Sequence, residues 1–246
     1  MRLRIDGDTL LLVLTGAGVS AESGVPTFRD ANGLWESHRI EEVATPEGFD
    51  ADPRLVWRFY SERRRKAKTV HPNPGHVALV EAERRMGDRF LLATQNVDGL
   101  HRRAGSLRLV EIHGSLFTTR CSLCERDPFP DEQEYLGDPP PCEECERHGR
   151  PGLLRPAVVW FGEMLDPAHL RRVSAFIDEA RAGRLVFLAV GTSGVVYPAA
   201  GLVLEARAAG GEAWLVNAEA ADNARAFHHF VKGPSGRVLP ELFEWA

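Results

Sequence analysis

Residues Leu10-Leu11-Leu12-Val13-Leu14-Thr15-Gly16-Ala17-Gly18-Val19-Ser20-Ala21 run from an apolar block into closely spaced glycines. A short apolar run that ends in a turn reads as a strand buried on both faces, as in a parallel sheet. Comparable runs occupy 90–93, 109–112, 157–161, 185–190 and 213–216; they are rich in Leu and Val and do not alternate. Helix signals lie between several of them. Asn73-Pro74 opens a segment closing at Met86-Gly87, and Asp166-Pro167 opens one closing at Ala182-Gly183. In each, a capping residue precedes Pro in the first turn, and Gly follows the last turn. Strands alternating with helices predict an α/β fold, a Rossmann-like doubly wound parallel sheet whose ligands sit beyond the carboxyl ends of the strands. The loops after Leu14, Ala93, Ile112, Val190 and Val216 are therefore expected to hold the site.

The 246 residues suffice for one catalytic unit. Two regions break the alternation: 30–71, which is helical and loop-like, and 114–155, which is rich in Pro, Cys and charge. We expect a large lobe over about 1–30, 72–115 and 156–246, and a small lobe over about 31–71 and 116–155. Interspersed charge and a net of −5 argue against nucleic acid or an anionic membrane as partner. No stretch approaches the roughly 18 apolar residues of a membrane span. The opening Met1 to Asp6 leads into the first apolar run with no small-residue cleavage site after it, so a cytoplasmic protein without a secretory signal is expected.

All four cysteines fall in one pattern, Cys121-x-x-Cys124 and Cys142-x-x-Cys145, with 17 residues between the pairs. The spacing suits a tetrahedral zinc site, and two disulfides are the alternative. A cytoplasmic location favours zinc. Four thiolates leave no open coordination position, so the metal is expected to be structural.

After the first strand, Gly16-Ala17-Gly18-Val19-Ser20-Ala21 forms G-x-G-x-x-A, whose glycines would admit backbone N–H groups to a pyrophosphate. A strand-to-helix turn also takes glycines simply to make the turn. A dehydrogenase would next show a second strand ending in an acid roughly 20 residues on, and none is present. Instead the motif continues Glu22-Ser23-Gly24-Val25-Pro26-Thr27-Phe28-Arg29-Asp30, and Asn217-x-Glu219 follows a later strand as the ribose reader. Gly191-Thr192-Ser193 supplies a further hydroxyl-bearing loop. The strand over 90–93 ends in Thr94-Gln95-Asn96-Val97-Asp98, and the next ends in His113-Gly114, placing an amide, a carboxylate and an imidazole at adjoining strand ends.

These motifs, together with the paired cysteines and Val159-Trp160-Phe161-Gly162-Glu163, resemble the sirtuin family over nearly the whole chain. The resemblance implies an enzyme that consumes NAD to remove acyl groups from protein lysines, releasing nicotinamide and O-acyl-ADP-ribose. It makes His113 the general base, a task that an imidazole titrating near neutrality suits. Asn96 and Asp98 complete the catalytic set. Gly16, Ala17, Gly18, Ala21, Glu22, Thr27, Phe28, Arg29, Trp35, Gln95, Val97, Gly191, Thr192, Ser193, Asn217, Glu219 and Lys232 contact NAD alongside them. Val159, Trp160, Phe161 and Gly162 resemble the strand that pairs with a substrate peptide by β-augmentation. Ala157 departs from the polar residue usual after Arg-Pro, which bears on peptide contacts.

Asp52-Pro53 opens a helix on which Val56, Phe59, Tyr60, Arg63 and Ala67 share one side, while Arg64 and Arg65 are expected to face solvent. An arginine in an apolar stripe reads either as a snorkelling or salt-bridged side chain or as a bidentate reader of a carboxylate. Tyr60-x-x-Arg63 and the small Ala44 resemble the acyl pocket of desuccinylase-like bacterial sirtuins, which implies a preference for succinyl- and malonyl-lysine. Three rivals remain: an NAD oxidoreductase, a mono-ADP-ribosyltransferase using the same NAD site, and a zinc-ribbon nucleic-acid binder. The last is opposed by Glu125, Asp127, Glu143, Glu144 and Glu146 around the cysteines.

Overall fold

A computed structural model describes residues 1–26, 34–35, 38–180 and 183–246. The chain begins with strands β1 (Leu3–Ile5) and β2 (Thr9–Thr15), then a 3-10 turn over Ala17–Ser23. A small hairpin, β3 (Leu34–Trp35) and β4 (His38–Arg39), precedes helices α1 (Ile40–Val43), α2 (Pro46–Ala51), α3 (Pro53–Thr69) and α4 (Pro74–Met86). Then come β5 (Phe90–Thr94), α5 (Leu100–Ala104), β6 (Leu109–Glu111), β7 (Gly114–Cys121), β8 (Phe129–Pro130), α6 (Glu143–Arg147) and β9 (Leu154–Val158). The remainder is α7 (Pro167–Glu179), β10 (Arg184–Val190), α8 (Leu202–Ala208), β11 (Glu212–Asn217), β12 (His229–Lys232), α9 (Ser235–Leu242) and β13 (Phe243–Trp245).

Six strands form one parallel sheet in the order β12-β11-β10-β2-β5-β6. From β2 the chain builds outward through β5 and β6, then crosses to β10 and builds the other way. The strand order thus reverses between β2 and β10, and a crevice opens there at the carboxyl ends. Residues of β2 alternate between two cores: Leu12 and Leu14 join α7 and α8 on one face, while Leu11 and Val13 join α4 and α9 on the other. Burying each such leucine contributes about 1.5–3 kcal/mol, which is why a non-alternating run makes the central strand.

The capping signals work as expected. Asn73 accepts the Gly75 N–H at 2.9 Å, Asp52 that of Leu55 at 2.9 Å and Asp166 that of Ala168 at 2.7 Å, each with Pro in the first turn. Helix α7 ends at Glu179, short of the expected Ala182, which lies outside the described residues.

One expected strand needs correction. Of 157–161, only Ala157 and Val158 are in a strand, and β9 pairs antiparallel with β7 in a separate small sheet, β8-β7-β9. The reason is local bonding: the N–H groups of Val159 and Phe161 donate to the carbonyls of His113 and Ala44, each at 2.9 Å, and that of Trp160 donates to Glu163 at 2.8 Å. Beside this sheet a third core gathers Val43, Ala44, Phe49, Val56, Trp57, Phe59, Tyr60, Val97, Leu116 and Trp160. The edge strand β12, with alternating exposure, was not expected.

A second correction concerns Arg64. It is fully buried rather than solvated, because all five of its N–H groups meet acceptors. Nε donates to Leu116 O at 2.6 Å, Nη1 to Asp131 at 3.2 Å and Gln133 O at 2.6 Å, and Nη2 to Thr118 O at 3.2 Å and Thr119 Oγ1 at 2.8 Å. Arg65 does face water, paired with Glu134.

Candidate active site

Strand β2 feeds the glycine loop into the crevice, where it meets the loop after β10. The Gly16 N–H donates to Val190 O at 3.0 Å and the Gly18 N–H to Gly191 O at 2.8 Å. A Cβ on Gly18 would lie 2.7 Å from the Gly191 Cα, and one on Gly191, at φ +63°, would lie 2.2 Å from the Val19 nitrogen. The glycines therefore serve close packing of loop on loop, and two of the N–H groups expected to face a phosphate are engaged within the protein. Glu22 is also engaged: it accepts from Ser235 Oγ at 3.3 Å and from the Gly236 N–H at 2.5 Å, at the start of α9.

Thr192 ties the crevice together. Its hydroxyl accepts from Gln95 Nε2 at 3.2 Å, and its carbonyl accepts from Asn217 Nδ2 at 2.9 Å. Ser193 is half-buried beside it, while Glu219 and Lys232 are exposed beyond β11 and at the end of β12. Ala17 and Ala21 lie on the 3-10 turn, and Val97 packs in the third core. Thr27, Phe28 and Arg29 lie outside the described residues, and Trp35 is described only as backbone in β3.

Below the crevice lies a buried polar layer that sequence reasoning did not find. Ser20 Oγ donates to Asp98 at 2.7 Å and accepts from Asn96 Nδ2 at 3.1 Å. His76 Nδ1 accepts the Asn73 N–H at 3.3 Å, so the proton of the neutral ring sits on Nε2, 3.4 Å from Ser20 Oγ. Burial holds the His76 pKa down at about 4 against the pull of Asp98, so the ring is neutral at pH 7. The His101 ring packs against that of His76, tilted by 52° with ring centroids 4.7 Å apart, and its Nε2 lies 2.9 Å from Thr15 Oγ1. The signals were Ser20 inside the glycine motif and His76 at the third helical position after Asn73.

His113 stands where β6 gives way to β7. Its Nδ1 lies 3.0 Å from Gln95 O, and a carbonyl can only accept, so Nδ1 carries the proton and Nε2 is left with a bare lone pair. Burial lowers its pKa, opposed by the Gln95 carbonyl. A half-buried imidazole with one nitrogen anchored and the other basic is equipped to take a proton near neutrality. Together with Gln95, Asn96, Asp98, Ser193 and Asn217, it gives a crevice of amide, carboxylate and hydroxyl groups that fits a ribose-bearing dinucleotide.

On the other side, α3 presents Tyr60 and Arg63 one turn apart. The Arg63 guanidinium carbon lies 5.5 Å from the Phe59 ring centre and 5.9 Å from that of Tyr60. Ala44 is buried in the same cluster, its carbonyl accepting the Phe161 N–H, and Phe161 and Gly162 are exposed. Trp160 is turned inward at 2 % exposure, and its indole N–H donates to the Tyr60 hydroxyl at 2.9 Å. With the N–H groups of Val159, Trp160 and Phe161 engaged, a peptide laid against this segment has mainly carbonyls to pair with.

The four cysteine sulfurs lie within 4.8 Å of one another, Cys121 to Cys145 at 3.6 Å and Cys124 to Cys142 at 3.8 Å. Bonds of about 2.3 Å in a tetrahedron place sulfurs about 3.8 Å apart, so the cluster fits zinc. A Cβ on Gly152 would lie 2.4 Å from the Cys145 sulfur, so glycine is needed there for the cluster to close.

Comparison with known proteins agrees with this geometry. The Sir2 family profile matches residues 16–198. An NAD-dependent protein deacylase of Escherichia coli (strain K12) is 46 % identical over 236 residues, covering 95 % of this chain and 81 % of that one. The mitochondrial NAD-dependent protein deacylase sirtuin-5 of Canis lupus familiaris is 43 % identical over 251 residues, covering 94 % and 80 %. A crystal structure of a Sir2 homolog–NAD complex superposes with a TM-score of 0.83 at 41 % identity, covering 94 % and 86 %. Among the described residues no helix is long and apolar enough to cross a membrane.

Proposed function

The chain belongs to the Sir2 family and is an NAD-dependent protein deacylase, and we propose that it acts on lysines carrying succinyl or malonyl groups in preference to acetyl. The observation that carries this preference is Arg63, half-buried on α3 one turn from Tyr60 and beside the apolar cluster that contains Phe59, Tyr60 and Ala44. A guanidinium there binds a terminal carboxylate bidentately, and burial of the surroundings strengthens the contact.

NAD, when bound, would supply the ADP-ribosyl group to which the acyl chain is transferred as nicotinamide departs, with one water consumed to release free lysine and O-acyl-ADP-ribose. The protein's own part begins at His113 Nε2, which takes the proton of a ribose hydroxyl while Gln95 O fixes the ring through Nδ1. Asn96 and Asp98, aligned by Ser20, hold the ribose and carboxamide. The zinc cluster keeps the segment around β7 and β9 folded and takes no part in the chemistry. We assign α1, α2, α3 and the zinc module to a small lobe, and the parallel sheet with its helices to a large one. Mono-ADP-ribosyl transfer is not favoured, since it has no use for a cation at the end of an acyl pocket.

The test is kcat/KM on matched succinyl and acetyl peptides for the wild type and Arg63→Met. A lost charge-assisted bidentate contact costs on the order of 2–3 kcal/mol, so the succinyl reaction should fall about 30- to 150-fold and the acetyl reaction far less. Equal loss on both peptides would remove Arg63 from acyl recognition.

A further inference from the structure

Trp160 and Tyr60 lie 100 residues apart in the chain, yet the indole Nε1 is 2.9 Å from the phenolic oxygen, and neither side chain is more than 2 % exposed. An indole N–H can only donate, so the Tyr60 oxygen is the acceptor and one of its lone pairs is occupied. Among the described residues no acceptor receives the phenol's own proton. Burial pushes the Tyr60 pKa up to about 12, so the proton is present at any working pH.

Trp160 is itself held from two sides. Its ring centre lies 3.3 Å from the guanidinium carbon of Arg155, which is 5 % exposed. Arg155 pairs with both oxygens of Glu163 at 2.6 and 3.0 Å, and Glu163 also accepts the Trp160 backbone N–H at 2.8 Å. The Glu163–Arg155 pair therefore clamps the indole by face and by backbone, and the indole in turn fixes the hydroxyl of Tyr60.

We propose that Trp160 is a positioning residue for acid recognition: its N–H occupies one lone pair of the Tyr60 oxygen and so directs the phenolic proton toward the terminal carboxylate of an acyl chain held by Arg63. The inference rests on the acid-reading role of Arg63 and adds the device that makes Tyr60 a donor of fixed direction. Without the indole, the hydroxyl turns about its C–O bond, and the carboxylate gains a contact only at the cost of ordering it.

The experiment measures the succinyl-to-acetyl ratio of kcat/KM for Trp160→Phe, Tyr60→Phe, the double variant and Arg63→Met. Both peptides are read on one preparation, so a reduced fraction of folded enzyme cancels in the ratio. Trp160→Phe should lower the ratio about three- to tenfold, the range of one neutral hydrogen bond, chiefly through KM for the succinyl peptide. Tyr60→Phe should lower it at least as far, and adding Trp160→Phe to it should change nothing more. An unchanged ratio in Trp160→Phe, or the same further fall in the Tyr60→Phe background, overturns the positioning role while a lowered ratio in Arg63→Met leaves the acid reading standing. An unchanged ratio in Arg63→Met overturns both. If Trp160→Phe does not fold, Glu163→Gln decides: it keeps the indole but weakens its clamp, and an unshifted ratio there overturns the proposal.

Discussion

Replacing Arg64 by Met should be among the most damaging single changes outside the crevice. The side chain is fully buried, and five acceptors close around its five N–H groups: the carbonyls of Leu116, Thr118 and Gln133, the Thr119 hydroxyl and the Asp131 carboxylate. Methionine fills much of the volume and satisfies none of them. Asp131 keeps its bonds from Thr119 Oγ1 at 2.6 Å, the Gln133 N–H at 2.9 Å and Tyr135 at 3.2 Å, but its negative charge loses its buried counter-ion. Removing one partner of a buried pair costs about 3–5 kcal/mol. For a chain of this size that corresponds to a fall in Tm of roughly 6–20 °C. Urea denaturation and calorimetry of Arg64→Met read this directly, with Arg65→Met as the control, since Arg65 is exposed and its loss should leave the midpoint in place. Arg64→Lys should recover only part of the loss, because three donors on a flexible stem cannot meet five acceptors. A loss under about 1 kcal/mol for Arg64→Met would refute the view that this arginine pins α3 to β7.

Two further outcomes follow from the site. Burial depresses the His113 pKa, and the base works unprotonated, so activity is complete above the ordinary imidazole value of 6.5 and is lost only as pH falls through the lowered pKa. The acidic limb of kcat/KM should lie below pH 6.5 and vanish in His113→Ala, with activity down about 10²- to 10⁴-fold; a limb at or above 6.5 would contradict the assignment. The purified protein should contain about one zinc per chain by elemental analysis, and its removal by a thiol-reactive reagent should lower Tm. A mass short of four hydrogens, indicating two disulfides, would be the contrary result.

Much of the fold was legible because burial on two faces leaves its mark on composition: β2, β5, β10 and β11 are all largely apolar runs inside the sheet. The edge strand β12, His229 to Lys232, has one face in water and so carries no such mark. The run 157–161 was misread for the opposite reason: its apolar residues are buried, but their N–H groups find partners in His113, Glu163 and Ala44 rather than in a ladder. Arg64 was misplaced because three consecutive arginines gave the choice of stripe to Phe59 and Arg63. The buried face of α3 also includes Trp57 and Ser61, which shifts its centre onto Arg64. Its acceptors lie 52 to 69 residues further along the chain, beyond any local pattern. The loops after β2, β5 and β6 were readable as motifs, whereas the Ser20, His76 and His101 layer beneath them exists only once the ends of β2 and β5 and the start of α4 are brought together.

His113 is the second of the two residues between Glu111, where the parallel sheet ends, and Gly114, where the antiparallel sheet begins, and its carbonyl also receives the Val159 N–H as the chain returns. The β6–β7 connection and the segment leaving β9 for α7 thus run side by side at this point, so the backbone at the imidazole is held from both strands of the chain. Because Gln95 and Val159 rather than α3 anchor His113, substitutions on α3 are expected to change acyl preference while leaving the imidazole in place.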